Sequence, residues 1–458
     1  MWLLPLQTRI ASLATRTFYR FHLDGEPVPP EGPLLLIANH PNMLLDPAAV
    51  ATAAGRPVRF LAKAPLFENR IARFFLNAIG AIPVYRRHDD PSQVVRNEEM
   101  FSEVHHALAG GAAIGIFPEG KSHGEPAIAP LRTGAARMAI GAAAILGRDF
   151  PIIPVGLTLS RKESFRSEAF ALVGPQVQWK DLFSRTDDDE EAVRELTQRI
   201  DKGLREVTLN LEQWEDAPAV AFAEAVYAAE FRLPDEKDER LQRLRNIALG
   251  LHRLRKEEPG RLDPLLHDIM KFRQVAHRMG IEPSDLSMVP RVGVALRWAA
   301  PRILMSLVLI PLLVAGTILF YLPYRLITWV ARRIRTGKET RSTVKLVAGA
   351  TIFLSWTVML TYLVWRSLGP LAGILSMISL PGLALLTIST RERVSESFSE
   401  ARAFLTLSRR TSGRERLREW RRKLAEQIEE ARVRLTIDDA VHHTTFPTVT
   451  YLQLISSH

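Results

Sequence analysis

Four short segments carry most of the chemistry this chain can offer, and they fall in one order within its first third. They are Asn39-His40-Pro41-Asn42-Met43-Leu44-Leu45-Asp46, Gly80-Ala81-Ile82-Pro83-Val84-Tyr85-Arg86, Phe117-Pro118-Glu119-Gly120 and Ile152-Ile153-Pro154-Val155-Gly156. Together they supply a histidine with a nearby acid, an arginine, a carboxylate in a glycine turn and a proline-bounded strand. An imidazole titrates near neutrality, so neutral His40 can take a proton from an alcohol as that alcohol attacks a thioester. Asp46 can accept a hydrogen bond from the other ring nitrogen, which selects the tautomer and stabilises the imidazolium that forms. The substrate hydroxyl then replaces the enzyme's own nucleophile. The spacing sets a condition, because side chains six residues apart on a continuous helix point about 120° from each other. The chain must bend between them, and Pro41-Asn42 is suited to a turn.

The other segments supply anion recognition. Arg86 closes an apolar stretch, Ala78 to Tyr85, and is expected at a strand end facing the same cleft. A guanidinium can hold a phosphate through two parallel hydrogen bonds, and Arg87 beside it could do the same. The order and content of the segments resemble the glycerol-phosphate acyltransferase superfamily, which includes bacterial lysophosphatidate acyltransferase, over residues 25–180. That resemblance implies roles: His40 as base, Asp46 as its orienting acid, and Arg86 with Lys63 on the acceptor's phosphate. It also implies Glu119 on substrate hydroxyls, with Gly120 and Lys121 in the same turn, and acyl-CoA or an acyl carrier protein as donor substrate. Neither a cofactor nor a metal is expected. Five residues separate His40 from Asp46, where most of the superfamily has four, and Lys121-Ser122-His123 stands where Thr-Arg-Ser is usual. Both features are similar to the subgroup of the yeast glycerol-3-phosphate/dihydroxyacetone-phosphate acyltransferases.

A competing pattern overlaps the third segment. Gly115 to Ser122 formally satisfies the nucleotide-binding pattern G-x4-G-K-S. That loop must lead directly into a helix that cradles phosphates. Here it holds Ile116, Phe117 and Pro118, and Gly124, Pro126 and Pro130 follow, so the nucleotide reading is set aside. The chain has no cysteine, which excludes disulfides, thiolate catalysis and cysteine-ligated metals. His105-His106 and His442-His443 lack metal-ligand spacing. The formal charge is +10, but the arginines flank apolar segments and no aromatic-basic interleaving is seen. Anionic membrane lipid is therefore the expected partner, and nucleic acid is not.

The elements that must position these residues follow from patterning. Residues 1–24, with Trp2, Leu6, Ile10 and Leu13 among Arg9, Arg16 and Arg20, read as an amphipathic helix at a membrane interface. Residues 25–185 alternate apolar strands with helices, an α/β catalytic domain with a mixed sheet flanked by helices. Its clearest elements are strands at Pro33–Ala38, Ala112–Phe117 and Phe150–Leu159 and a helix at Gly134–Leu146. The acidic run Asp187 to Glu191 then opens a helical extension over 186–300. A C-terminal membrane-embedded helical segment occupies 301–390, with residues 303–330 re-entrant, interfacial or spanning and a hairpin over 345–388, each stretch about long enough to cross. Basic clusters flank these stretches everywhere except near Gly369. Keeping them on the cytoplasmic side favours a non-crossing first stretch and a true hairpin. Residues 391–458 form a cytoplasmic helical C-terminal region, with Glu415–Leu435 packing on its own domain or serving as a partner helix. The expected whole is an O-acyltransferase at the cytoplasmic face of the cell membrane, acting on glycerol-3-phosphate or 1-acylglycerol-3-phosphate. The alternatives are another lysolipid or alcohol as acceptor, or a catalytically inactive lipid-binding protein.

Overall fold

The structure is a computed structural model describing residues 1–85, 97–122, 128–159, 162–185, 189–208, 216–234, 237–287, 292–334, 338–409 and 411–442. The chain forms two compact units, one of Met1–Trp214 with Leu296–Ser397 and one of Glu215–Ala295 with Phe398–His458.

The first unit opens with α1 (Gln7–Phe18), β1 (Arg20–Gly25), β2 (Leu34–Ala38), α2 (Leu45–Ala54), β3 (Val58–Lys63) and α3 (Arg70–Ala78). It continues with β4 (Ile82–Val84), α4 (Asn97–Ala109), β5 (Ala113–Ile116), α5 (Gly134–Leu146), β6 (Ile152–Leu159), β7 (Glu168–Val173) and α6 (Glu190–Val207). The strands lie in the order β1-β7-β6-β2-β5-β3-β4, and every neighbouring pair is parallel except β6 with β7, which is antiparallel. The α/β arrangement with a mixed sheet, expected from the family resemblance, is therefore present. An apolar run without alternation suits a strand covered on both faces. β2 fits: it sits between β6 and β5, and its five residues are all buried. Leu35 and Ile37 face a core shared with α4, α5 and α6, while Leu34, Leu36 and Ala38 face one shared with α1 and α2.

Composition changes after Ser184, yet the sheet unit continues past it. Asp189 caps α6 by accepting from the N–H groups of Glu191 and Ala192, and Val193, Leu196, Ile200 and Leu204 are buried. That apolar stripe lies against the sheet, so the mixed charge of this helix occupies its outer face.

The first unit also holds α10 (Val292–Arg333), α11 (Lys338–Leu368) and most of α12 (Pro370–Arg409). Each contains a stretch long and apolar enough to cross a membrane: Leu309–Arg333, Arg341–Leu368 and Pro370–Arg391. α10 is continuous through Pro311, Gly316 and Pro323, with no fold-back inside residues 303–330. It meets the α11–α12 pair through Phe320 on Phe353, the Trp356 indole N–H on Leu319 O, and Gly316 against Thr387. A Cβ on Gly316 would fall 1.9 Å from Thr387 Oγ1, a small-residue contact that lets the backbones approach closely.

The second unit packs α7 (Ala217–Phe231), α8 (Lys237–Glu257), α9 (Pro259–Met279) and α13 (Thr411–His442). Leu417, Leu424 and Ile428 share a core with Phe272 and Ile269, so the Glu415–Leu435 helix is satisfied within its own chain.

Candidate active site

The bend between His40 and Asp46 is built from side chains as much as from turn residues. β2 stops at Ala38 because Asn39 takes over the ladder with its carboxamide. Its Nδ2 donates to Leu157 O at 2.9 Å, and its Oδ1 accepts from Leu157 N at 2.7 Å. The chain then turns through Met43, a non-glycine residue at φ +37°, before α2 begins at Leu45. Such backbone persists only where surrounding contacts hold it. Asp46 therefore sits in the first turn of α2 and points back, its Oδ2 lying 2.7 Å from His40 Nδ1. The same oxygen accepts the Asn42 N–H at 2.5 Å.

The remaining amides of the turn are also engaged. Glu119 Oε1 accepts the His40 N–H at 2.9 Å, Ser122 Oγ accepts that of Met43 at 3.3 Å, and Thr343 Oγ1 accepts that of Leu44 at 3.4 Å. The His40 ring lies flat on Phe117, with centroids 4.1 Å apart and planes 15° from parallel. Nδ1 faces Asp46, which leaves Nε2 as the nitrogen placed to work on a substrate. His40 is partly exposed, whereas Asp46 is buried. Burial pushes the Asp46 carboxyl up from its usual 3.8, opposed by the His40 contact, the Asn42 N–H and Lys162. The buried Tyr19 phenol is raised as well, by burial first and by the Asp46 charge second.

The second and third segments reach the same edge of the sheet, since His40 follows β2, Glu119 follows β5 and Lys63 ends β3. In parallel α/β sheets, ligands bind outside these carboxyl ends. Lys63 is half-buried and pairs in register with Val84, while Arg86 and Arg87 lie outside the described residues. Glu119 is buried, and both its oxygens accept backbone N–H groups, Oε2 from Ala129 at 2.8 Å. Gly120 adopts φ +73°, so the turn needs glycine for its conformation, and a Cβ there would fall 2.6 Å from Nε of the exposed Arg132 side chain. Lys121 is exposed. Gly120 to Gly124 also spells G-x-S-x-G, but Ser122 lies on a loop six residues beyond Ile116 and not on a strand-to-helix elbow.

Sequence reasoning missed the residues behind the turn. Asn42 served there only as a turn former, yet its side chain is fully buried and bonded to the Tyr19 hydroxyl, Lys162 O and the Ser342 hydroxyl. Its place between the histidine and the acid was the only sequence signal for Asn42, and nothing pointed to Ser342.

Three comparisons describe what the chain is similar to. Residues 20–158 match the family model described as Acyltransferase. Glycerol-3-phosphate O-acyltransferase 1 of Saccharomyces cerevisiae is 25% identical over 358 residues, covering 72% of this chain and 46% of that protein. Glycerol-3-phosphate O-acyltransferase 2 of the same yeast is 30% identical over 149 residues, covering 31% and 20%. The matched region thus spans less than half the length of either yeast protein. The crystal structure of the 1-acyl-sn-glycerophosphate (LPA) acyltransferase PlsC from Thermotoga maritima aligns with a TM-score of 0.33 and 18% identity, covering 44% of this chain and 78% of that one. Over residues 20–158 the chain is thus similar to the Acyltransferase family, and over part of its length to the two yeast proteins.

Proposed function

We propose that this acyltransferase-family domain works as a membrane-associated O-acyltransferase. It moves a fatty acyl group from acyl-CoA or an acyl carrier protein to glycerol-3-phosphate or 1-acylglycerol-3-phosphate. The observation that carries this reading is the 2.7 Å contact between His40 Nδ1 and the buried Asp46 carboxylate at the carboxyl edge of the sheet. His40 Nε2 takes the acceptor hydroxyl proton as that oxygen attacks the thioester carbonyl. Asp46 keeps the other proton on Nδ1 and stabilises the imidazolium. When the tetrahedral intermediate collapses, the C–S bond breaks and the departing thiolate recovers the proton from His40. Lys63 holds the acceptor's phosphate, and the same role falls to Arg86 and Arg87 on sequence grounds. Donor and acceptor are both substrates, and the reaction needs no cofactor beyond them.

The membrane setting has its own support. Leu6 just before α1, Ile10 and Leu13 on α1, and Ile71, Phe74 and Phe75 on α3 are exposed, with Trp2 lying on Phe74 and joining the two faces. Arg9, Arg16, Arg70 and Arg73 border them, a composition suited to the interface of an anionic bilayer. Connectivity supports a single crossing hairpin. If α11 and α12 cross as a pair, the start of α11 and the end of α12 share one side of the membrane. The stretches 215–295 and 398–442 belong to one compact unit, so both ends of α10 must lie on that side as well. The basic residues around these ends favour the cytoplasmic side of the cell membrane for them.

The test is a radiolabelled acyl-CoA assay comparing glycerol-3-phosphate with 1-acylglycerol-3-phosphate, with His40→Ala alongside. Acyl transfer that His40→Ala abolishes supports the reading. Absence of product with either acceptor in folded wild-type protein rejects it.

A further inference from the structure

The N-terminal end of α11, some 300 residues from the histidine motif, grips the loop that carries His40. Ser342 is fully buried, and its hydroxyl donates to Asn42 Oδ1. Thr343 Oγ1 accepts the Leu44 N–H at 3.4 Å, and Leu346 packs on the core that holds α2. The same end of the helix also holds the segment behind the loop. Lys345 Nζ donates to Glu163 O at 2.6 Å, Arg341 pairs with the Glu163 carboxylate at 3.2 Å, and the neighbouring Lys162 O accepts from Asn42 Nδ2 at 3.0 Å. Asn42 thus stands between α11 and the dyad, its side chain bonded to Ser342 and its backbone N–H to Asp46.

We propose that Ser342 and Thr343 are positioning residues for the His40–Asp46 pair, so that the seating of a membrane helix sets the geometry of the catalytic loop. The proposal rests on His40 being the general base. Asn42 has no exposed surface, so bulk water does not reach its carbonyl to stand in for the Ser342 hydroxyl. A buried carbonyl left without that donor favours another side-chain orientation. The Tyr19 and Lys162 bonds are then given up, and the backbone N–H that fixes the Asp46 carboxylate shifts with them. Met43 makes the loop sensitive, because its left-handed backbone is maintained by the contacts on either side. A hairpin displaced from its seat would therefore uncouple the base without touching it.

The experiment uses the full chain in lipid nanodiscs and compares Ser342→Ala, Ser342→Thr and His40→Ala. Ser376→Ala, a hydroxyl bonded within α12 to Gly373 O, serves as control. For Ser342→Ala we expect kcat to fall about ten- to a hundredfold, the scale on which small displacements of catalytic groups act. Both KM values should stay within about twofold, Ser342→Thr should recover most of the rate, and Ser376→Ala should match wild type. A Ser342→Ala kcat equal to wild type, with His40→Ala inactive, overturns the positioning role alone. A loss that Ser342→Thr leaves unchanged also overturns it. An active His40→Ala overturns the base assignment and this proposal with it. If Ser342→Ala does not fold, Thr343→Val provides the same test through Leu44, where a fall in kcat at constant KM supports the proposal and an unchanged kcat overturns it.

Discussion

Glu119 Oε1 accepts the backbone N–H of His40 at 2.9 Å, so the carboxylate of the third segment supports the base of the first. Its other oxygen accepts Ala129 N–H at 2.8 Å. Glu119→Gln would set an amide donor against one of these N–H groups and leave it unpaired. The expected cost is about 1–3 kcal/mol of stability. A fall in melting temperature, with kcat reduced more than the acceptor KM is raised, would show that Glu119 organises the loop. A change confined to the acceptor KM would show that it acts through substrate alone.

His40→Ala should lower kcat by about 10²–10⁴ while the protein stays folded, the usual worth of a positioned general base. Circular dichroism together with the radiolabel assay checks this. Wild-type turnover in folded protein would sink the base assignment.

Asp46→Asn keeps the shape of the site but reverses the tautomer of His40, and kcat should fall by about 10³–10⁴, as carboxamide replacement does in hydrolase triads. Stability should respond with the opposite sign at neutral pH. The folded-state pKa of Asp46 lies above its usual 3.8, so its contribution is fully present below that value and is lost as pH rises through the folded value. The melting temperature of Asp46→Asn relative to wild type should therefore climb with pH above about 4. Thermal denaturation between acid and neutral pH measures it, and a gap that narrows with rising pH contradicts the burial argument.

Gly120→Ala forces a left-handed residue to carry a Cβ and drives that atom against Arg132. A loss of about 1–2 kcal/mol is expected from backbone conformation alone. Denaturant unfolding of the purified chain reads it directly.

Cysteine labelling tests the membrane arrangement, in a chain that contains no native cysteine. A cysteine at Lys338 should react only from the cytoplasm, and one at Gly369 only from the opposite side. Reactivity of the Lys338 position from outside would refute the single hairpin.

Much of the site's frame was legible in the sequence because local backbone writes a local pattern. The unbroken apolar run 34–38 marks a central strand, Gly134–Leu146 is a helix with the anticipated bounds, and the six-residue separation of His40 and Asp46 demanded a bend. The side chains that hold the bend left no such trace. Asn39 completes a ladder with Leu157 over 118 positions, and Ser342 reaches Asn42 over 300, distances at which periodicity and spacing are silent. Only the folded chain decided that Glu119 would spend both oxygens on backbone N–H groups, that α6 would pack on the sheet, and that the N-terminal end of α11 would seal the histidine loop. Spacing along a chain limits which groups can meet, and burial of polar groups that require partners selects which of them do.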